Sequence, residues 1–263
     1  MRWGATCRRG ARETAWGGHC FTCNACREGD FINCENGLVT GISFDGGYAE
    51  YMTALAEAVA KMPDDLAAEE AAPLLCAGTT AFNALRNQDP QPGDLVAVQG
   101  IGGLGHLAVQ YAAAMGLEVA ALSTSADREA LAHDLGTTHF TDAKETDAAE
   151  ALQDLGGADL ILATAPNSNA ITSVVGGLRR DGALMIVAAT GEAVEVSPMT
   201  LIQDRKAVSG WSSGDAKDSE ETLSFSAQAG ALPEIETFPL AEAEAAYDRM
   251  IDNEARFRAV LTM

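Results

Sequence analysis

From Gly93 onward the chain repeats one pattern, and that pattern limits the possible fold more than anything else in it. "DLVAVQG" (94–100) is a short apolar run of buried-strand length, and "GLGHLAVQYAAAMG" (103–116) has helical spacing closed by Gly116. "EVAALS", "THFTDA", "ADLILATA", "GALMIVAAT" and "KAVSGWSS" (206–213) read as five further strands. Helices fall between most of them, at "ADREALAHDLG", "DAAEALQDLGG" and "NAITSVVGGL". Such alternation requires crossover connections, and right-handed crossovers build a parallel sheet covered on both faces. Six strands is the number in a doubly wound α/β sheet of the Rossmann kind.

The first turn of that array carries a ligand signal. In "VAVQGIGGLGHLAV", Gly100, Gly102 and Gly105 satisfy G-x-G-x-x-G, and Gly103 adds a fourth glycine. The motif follows a strand and opens a helix, the context a dinucleotide site requires. Glycine lets the backbone approach a pyrophosphate, while unpaired N–H groups and the helix dipole favour the anion. At the end of the second strand an acidic residue would accept the ribose hydroxyls of NAD and repel the extra phosphate of NADP. Here Ser123, Thr124, Ser125 and then Arg128 occupy that place. Hydroxyl donors with a guanidinium suit a 2′-phosphate, so NADP(H) is expected over NAD(H). An N-cap by Ser125 beside a solvated Arg128 would be compatible with the same residues.

Four of the six cysteines sit in "GGHCFTCNACREGDFINC" (17–34), spaced C-x2-C-x2-C-x7-C through Cys20, Cys23, Cys26 and Cys34. Thiolates this close read as metal ligands before disulfides. Four of them fit a closed tetrahedral zinc site. A ferredoxin-type cluster would continue with a three-residue gap and then Cys-Pro, whereas here the gap is seven and Glu35 follows. His19 would be a fifth donor to a full site and is left out.

The rest of the chain frames these motifs. Residues 1–15 look like a foreign, arginine-rich leader without periodicity, as a late start codon or shifted reading frame would produce. Residues 16–62 are glycine-rich and loop-like, within an N-terminal part expected over 16–75, with short strands expected at "YAEYM" and "AVAKM". "DDLAAEEAAPLLCAGTTAFNAL" (64–85) reads as one helix capped by Asp64 or Asp65. The nucleotide domain is expected over 76–213, and 214–263 is expected to return to the N-terminal part. With 38 acidic residues against 17 basic, the net charge of −21 repels nucleic acid. The charge fits a solubilising surface or adaptation to high salt. No apolar run spans a membrane and no secretory signal opens the chain, so a cytoplasmic location is expected.

Together, the four-cysteine lobe, the glycine-rich nucleotide fold and "LLCAGTTAFNAL" between them resemble the zinc-dependent alcohol dehydrogenases of the medium-chain dehydrogenase/reductase superfamily. "LSTSADR" is further similar to the NADP-dependent cinnamyl-alcohol-dehydrogenase-like branch. The resemblance covers about residues 16–263. It implies a Rossmann domain plus a partial GroES-like catalytic domain bearing the zinc lobe. Cys20, Cys23, Cys26 and Cys34 would hold structural zinc. Cys76 would be a ligand of a catalytic zinc, with Thr80 beside the nicotinamide. Gly100, Gly102, Gly103 and Leu104 would form the pyrophosphate loop, which Arg258 would reach from the C-terminal segment. A homodimer or homotetramer joined through the sixth strand is also implied.

The same resemblance sets an expectation of incompleteness. The family supplies a first cysteine ligand and a Gly-His-Glu segment before the zinc lobe, but this chain has no His-Glu dipeptide. Cys7 has the wrong surroundings for the missing cysteine. One ligand of three is not a catalytic zinc site. Three readings follow: an alcohol dehydrogenase or aldehyde reductase acting on small molecules, an inactive homologue retaining nucleotide and structural zinc, and a zinc-free quinone-type reductase. Cys76 and the cysteine lobe argue against the third. Trp16 and "ISFDGGYAEY" are the remaining hints of a substrate wall, with core packing the alternative.

Overall fold

The structure is a computed structural model that describes residues 13–15 and 17–263. Chain contacts divide it into two units, Met1–Thr79 with Ser213–Met263, and Thr80–Ser212.

The first unit starts with very short elements: β1 (Glu13–Ala15), β2 (Gly17–Gly18), α1 (Asn24–Glu28), β3 (Leu38–Val39) and β4 (Val59–Lys61). β1 pairs antiparallel with β4, and β2 with β3. Part of the supposedly foreign leader is therefore a strand; three residues at an edge are too few to show periodicity. "YAEYM" is not a strand. It runs outside any ladder, and Tyr48 and Tyr51 are exposed, which removes them from the core. Residues 38–52 also expose Leu38, Val39, Ile42 and Met52.

The helix expected over 64–85 is three pieces. α2 (Ala68–Pro73) is followed by a π-helical turn, Leu74–Gly78, and then α3 (Thr79–Arg86). Its N-cap is Ala67, which has no side-chain cap bond, so neither Asp64 nor Asp65 takes that position. Pro73 lacks the N–H that a regular α-helix needs. The Thr79 hydroxyl donates to the Leu74 carbonyl at 3.1 Å, closing the wider turn.

The second unit carries β5 (Leu95–Gln99), α4 (Gly105–Ala114), β6 (Glu118–Ser123), α5 (Glu129–Asp134), β7 (His139–Asp142), α6 (Ala148–Asp154), β8 (Ala158–Ala163), α7 (Ser168–Val174), β9 (Leu178–Ile186), α8 (Pro198–Asp204) and β10 (Ala207–Gly210). The six strands form one parallel sheet in the order β10-β9-β8-β5-β6-β7. Counted from β5, this is the 3-2-1-4-5-6 order of a doubly wound sheet, with its switch point between β5 and β8. Val96, Ala97, Val98, Ile161, Leu162, Ala163 and Leu184 are fully buried, as expected when helices cover both faces. Each fully buried leucine or isoleucine contributes about 2 kcal/mol of apolar burial. At the N-terminal end of the sheet, Asp159 accepts from the Leu95 N–H at 2.9 Å and pairs with Arg179. Burial raises its pKa, and these partners oppose the rise. The helix α8 has no counterpart in the sequence reading, because seven residues opened by Pro198 carry too little periodicity.

The chain then returns to the first unit through α9 (Ala216–Ala229), β11 (Ile235–Pro239), α10 (Ala243–Ile251) and β12 (Arg258–Thr262). Asp215 and Asp218 make a reciprocal capping box at the start of α9. β11 and β12 pair in parallel, α9 packs on β4, and α2 packs on β12. One hydrogen bond fixes α9 directly, the Lys61 N–H donating to the Glu220 carboxylate at 2.8 Å. Among the described residues no helix is long and apolar enough to cross a membrane.

Candidate functional site

The glycine loop lies where strand order reverses, directly after β5. Gly100 has φ +94°, a conformation glycine adopts at little cost. Its N–H donates to the Leu122 carbonyl at 2.8 Å, and its carbonyl accepts from the Thr164 hydroxyl at 2.9 Å. The loop is thereby tied to both neighbouring strands. A Cβ on Gly105 would stand 1.8 Å from the Gly100 carbonyl oxygen, so only glycine lets α4 approach this closely. A Cβ on Gly102 would meet nothing within 4 Å. That open cradle before the N-terminus of α4 fits a pyrophosphate.

At the end of β6 the four coenzyme-selecting residues have different surroundings. Ser123 is buried, and its hydroxyl closes a local turn with Ser125: it accepts from the Ser125 N–H at 3.1 Å and donates to the Ser125 carbonyl at 3.3 Å. Thr124 is exposed and Ser125 half-buried. Ser125 makes no side-chain cap bond to the helical turn Ala126–Arg128 that follows. Arg128 reaches back to donate to the carbonyl of Ile101, which brings its guanidinium to the glycine loop. The carboxylate of Asp142, across the sheet from Ser123, accepts the Lys144 N–H at 2.9 Å.

In the first unit the four cysteine sulfurs all lie within 4.8 Å of one another. Cys23 and Cys34 sulfurs are 4.0 Å apart, and tetrahedral zinc with bonds of about 2.3 Å requires roughly 3.8 Å. The donor set fits the ion. The local fold is shaped for thiolates: Cys23 caps α1, and backbone N–H groups of Cys20, Thr22, Cys23 and Cys26 point at cysteine sulfurs. Bonds from Thr22, Asn36 and the Cys23 N–H lower the Cys20 pKa to about 5. Burial, with help from neighbouring sulfurs, pushes Cys26 up to about 12. Zinc binding must therefore expel a proton from Cys26, which makes affinity fall as pH falls. His19 lies outside the sulfur cage, stacked on Phe31 at 4.3 Å and edge-on to Phe21.

Cys76 sits in the π-helical turn, exposed and apart from the four-cysteine group. Half-buried Arg258 is close enough to feel it: burial lowers the arginine's pKa and its charge interaction with Cys76 opposes that. Thr80 is buried near the start of α3. Leu104 precedes α4 as its N-cap residue. Tyr48, Tyr51 and Met52 line an open depression of about 820 Å³ with Thr40 and Asp45. Cys7 and Trp16 lie outside the described residues.

Sequence comparisons agree with this geometry. Residues 103–228 match the zinc-binding dehydrogenase family, and residues 6–64 match the alcohol dehydrogenase GroES-like domain. Alcohol dehydrogenase patD of Penicillium expansum is 45% identical over 250 residues, covering 95% of this chain and 73% of the relative. The chain belongs to the zinc-type medium-chain alcohol dehydrogenases. Among solved structures, the alcohol dehydrogenase of Aeropyrum pernix superposes with a TM-score of 0.87 at 30% identity, covering 97% of this chain and 76% of that one. CAD from Helicobacter pylori, solved with NADP(H), gives 0.81 at 27% identity over 94% and 73%.

As a member of that family the chain is an oxidoreductase that uses zinc and a nicotinamide coenzyme on small molecules. Membership favours the enzyme over the inactive remnant. The zinc-free alternative loses ground to the cysteine lobe itself. Among the described residues, the four-cysteine lobe is the only group of three or more His, Cys, Asp or Glu able to hold a metal. None of the described residues builds a second zinc centre around Cys76. Sequence reasoning also passed over His106, which is fully buried against the glycine loop. Its signal was its place, directly after the last glycine of the motif.

Proposed function

We propose that this alcohol dehydrogenase takes NADP(H) in preference to NAD(H) for alcohol–carbonyl interconversion. The arrangement at the end of β6 carries this reading: Thr124 and Ser125 follow Ser123 there, and Arg128 is held against the glycine loop. The pyrophosphate lies in the cradle of Gly100, Gly102, Gly103 and Leu104, where backbone amides and the α4 dipole offset its charge. Arg128 and the hydroxyls of Thr124 and Ser125 take the 2′-phosphate, while Ser123 shapes their turn. The bound nicotinamide supplies the hydride acceptor or donor. Thr80 and Arg258 keep the roles the family resemblance gives them, each to be tested by substitution, and Cys76 is the single described residue that the resemblance assigns to a catalytic zinc. Domain limits of 16–75, 76–213 and 214–263 and a cytoplasmic location belong to the same reading.

Fluorescence titration with NADPH and NADH tests the preference. NADPH is expected to bind more tightly, and Arg128→Ala should weaken NADPH about tenfold while sparing NADH. Tighter binding of NADH by the parent chain would overturn it.

We also propose a homo-oligomer joined at β10. This edge strand is exposed along its length, and Met199, Ile202 and Val208 beside it are exposed apolar residues. An unprotected edge of this kind is a template for pairing with a second copy. Sedimentation of Val208→Lys, expected as monomer against a parental dimer, tests this.

A further inference from the structure

We infer that His106 is a positioning residue for the coenzyme: its buried imidazole locks the Gly102–Gly103 peptide in the orientation that presents an N–H to the pyrophosphate. The inference rests on the reading of the glycine loop as the dinucleotide site.

His106 occupies the first turn of α4 and is 0% exposed, among Leu107, Ala108 and Val109. A leucine or phenylalanine would suit such a place, because burying an imidazole is costly unless its nitrogens are partnered. The partner is on the loop. Nδ1 lies 2.8 Å from the Gly102 carbonyl oxygen, and the His106 backbone N–H donates to the same oxygen at 3.1 Å. A carbonyl can only accept, so Nδ1 carries a proton and donates it to this bond. One residue thus fills both lone pairs of one loop carbonyl.

The consequence follows from the planarity of the peptide. In a trans peptide the C=O and N–H point in opposite directions. With the Gly102 oxygen drawn toward the helix, the Gly103 N–H is directed to the other side of that peptide. Gly102 has no Cβ and meets open space there, so its backbone alone would permit rotation of the peptide. A rotated peptide would turn a carbonyl oxygen toward a phosphate and repel it. His106 removes that alternative before the coenzyme arrives, reducing the ordering cost of binding.

The test uses the intact zinc-loaded chain and three probes: NADPH, ADP-ribose, which retains the pyrophosphate, and adenosine, which lacks phosphate. His106→Leu removes the ring donor. His106→Asn places an amide N–H where Nδ1 was, and His106→Gln places it at the Nε2 position instead. Loss of one such bond is expected to raise the Kd of His106→Leu and His106→Gln for NADPH and ADP-ribose by about three- to tenfold. His106→Asn should stay within about twofold of the parent, and adenosine binding should be equal in all four proteins. Should His106→Leu fail to fold, the contrast between Asn and Gln decides. ADP-ribose binding unchanged in His106→Leu, or equal in the Asn and Gln variants, overturns the assignment. So does a parallel loss of adenosine, which would mark His106 as a packing residue only. A parent chain that binds neither NADPH nor ADP-ribose overturns the coenzyme reading and this inference with it.

Discussion

The unit Thr80–Ser212 and the unit that combines residues before it with Ser213–Met263 hold their shape by different means. The first has six hydrogen-bonded strands of four to nine residues and a continuous apolar interior. Its counterpart has two- and three-residue strands near the cysteines, and an apolar stretch over 38–52 that faces outward, with Tyr51 90% exposed. Burial stabilises the sheet. Around Cys20–Cys34 too little is buried for that, and cross-linking by an ion takes its place. The contrast teaches that a glycine-rich loop can be as well fixed as a strand when four thiolates converge on one point.

Removing the ion should separate the two units most clearly. Chelation, or Cys34→Ser, is expected to unfold the lobe over 20–36, since zinc contributes on the order of 10 kcal/mol in small thiolate sites. Metal analysis should fall from one zinc per chain to none and amide exchange in the lobe should become fast, while NADPH titration is unchanged. Loss of NADPH binding at the same step would break the comparison. Leu162→Ala is the reverse experiment. It should cost about 2–5 kcal/mol in the sheet, lowering the melting temperature and weakening coenzyme while zinc content holds. Gly105→Ala is smaller and more local. Its methyl must displace the Gly100 carbonyl, at an expected cost of about 1–3 kcal/mol, and NADPH affinity should fall with little change in zinc. Asp181→Asn should have the least effect. Arg205 bonds both carboxylate oxygens, at 2.6 and 2.7 Å, and holds Asp181 below the usual carboxylate range. That stabilisation is present above the ordinary carboxylate pKa and is lost as pH falls through the lowered value. Acid melting curves of the variant should therefore be flatter below about pH 4 and coincide with the parent near neutrality.

Much of the sheet was legible because its signals are internal to each segment. Apolar runs of strand length, helical spacing and closing glycines required no knowledge of distant partners, and they were enough to give a parallel sheet of six strands. Readings that depended on a partner fared differently. "YAEYM" alternates like a strand but has no ladder to join, and β1 joins one without alternating. Asp64 and Asp65 are suitable caps, yet the helix opens after Ala67 because the chain turns later. The cysteine spacing foretold the convergence of four sulfurs. It could not foretell that hydrogen bonds would lower one thiol while burial raises another. Ser123 had the right chemistry for a phosphate ligand, but its hydroxyl shapes the turn around Ser125. His106 was visible only as a histidine in an apolar helix until its ring nitrogen was seen on the Gly102 carbonyl.

The bond from Lys61 to Glu220 joins residues 159 apart in the chain. On the ribosome, the backbone of β4 is made long before the helix that receives its N–H. Every strand of the central sheet emerges in that interval, and each pairs with other strands of the same sheet. The bond between β4 and α9 can therefore close only after all six strands of that sheet have been synthesised.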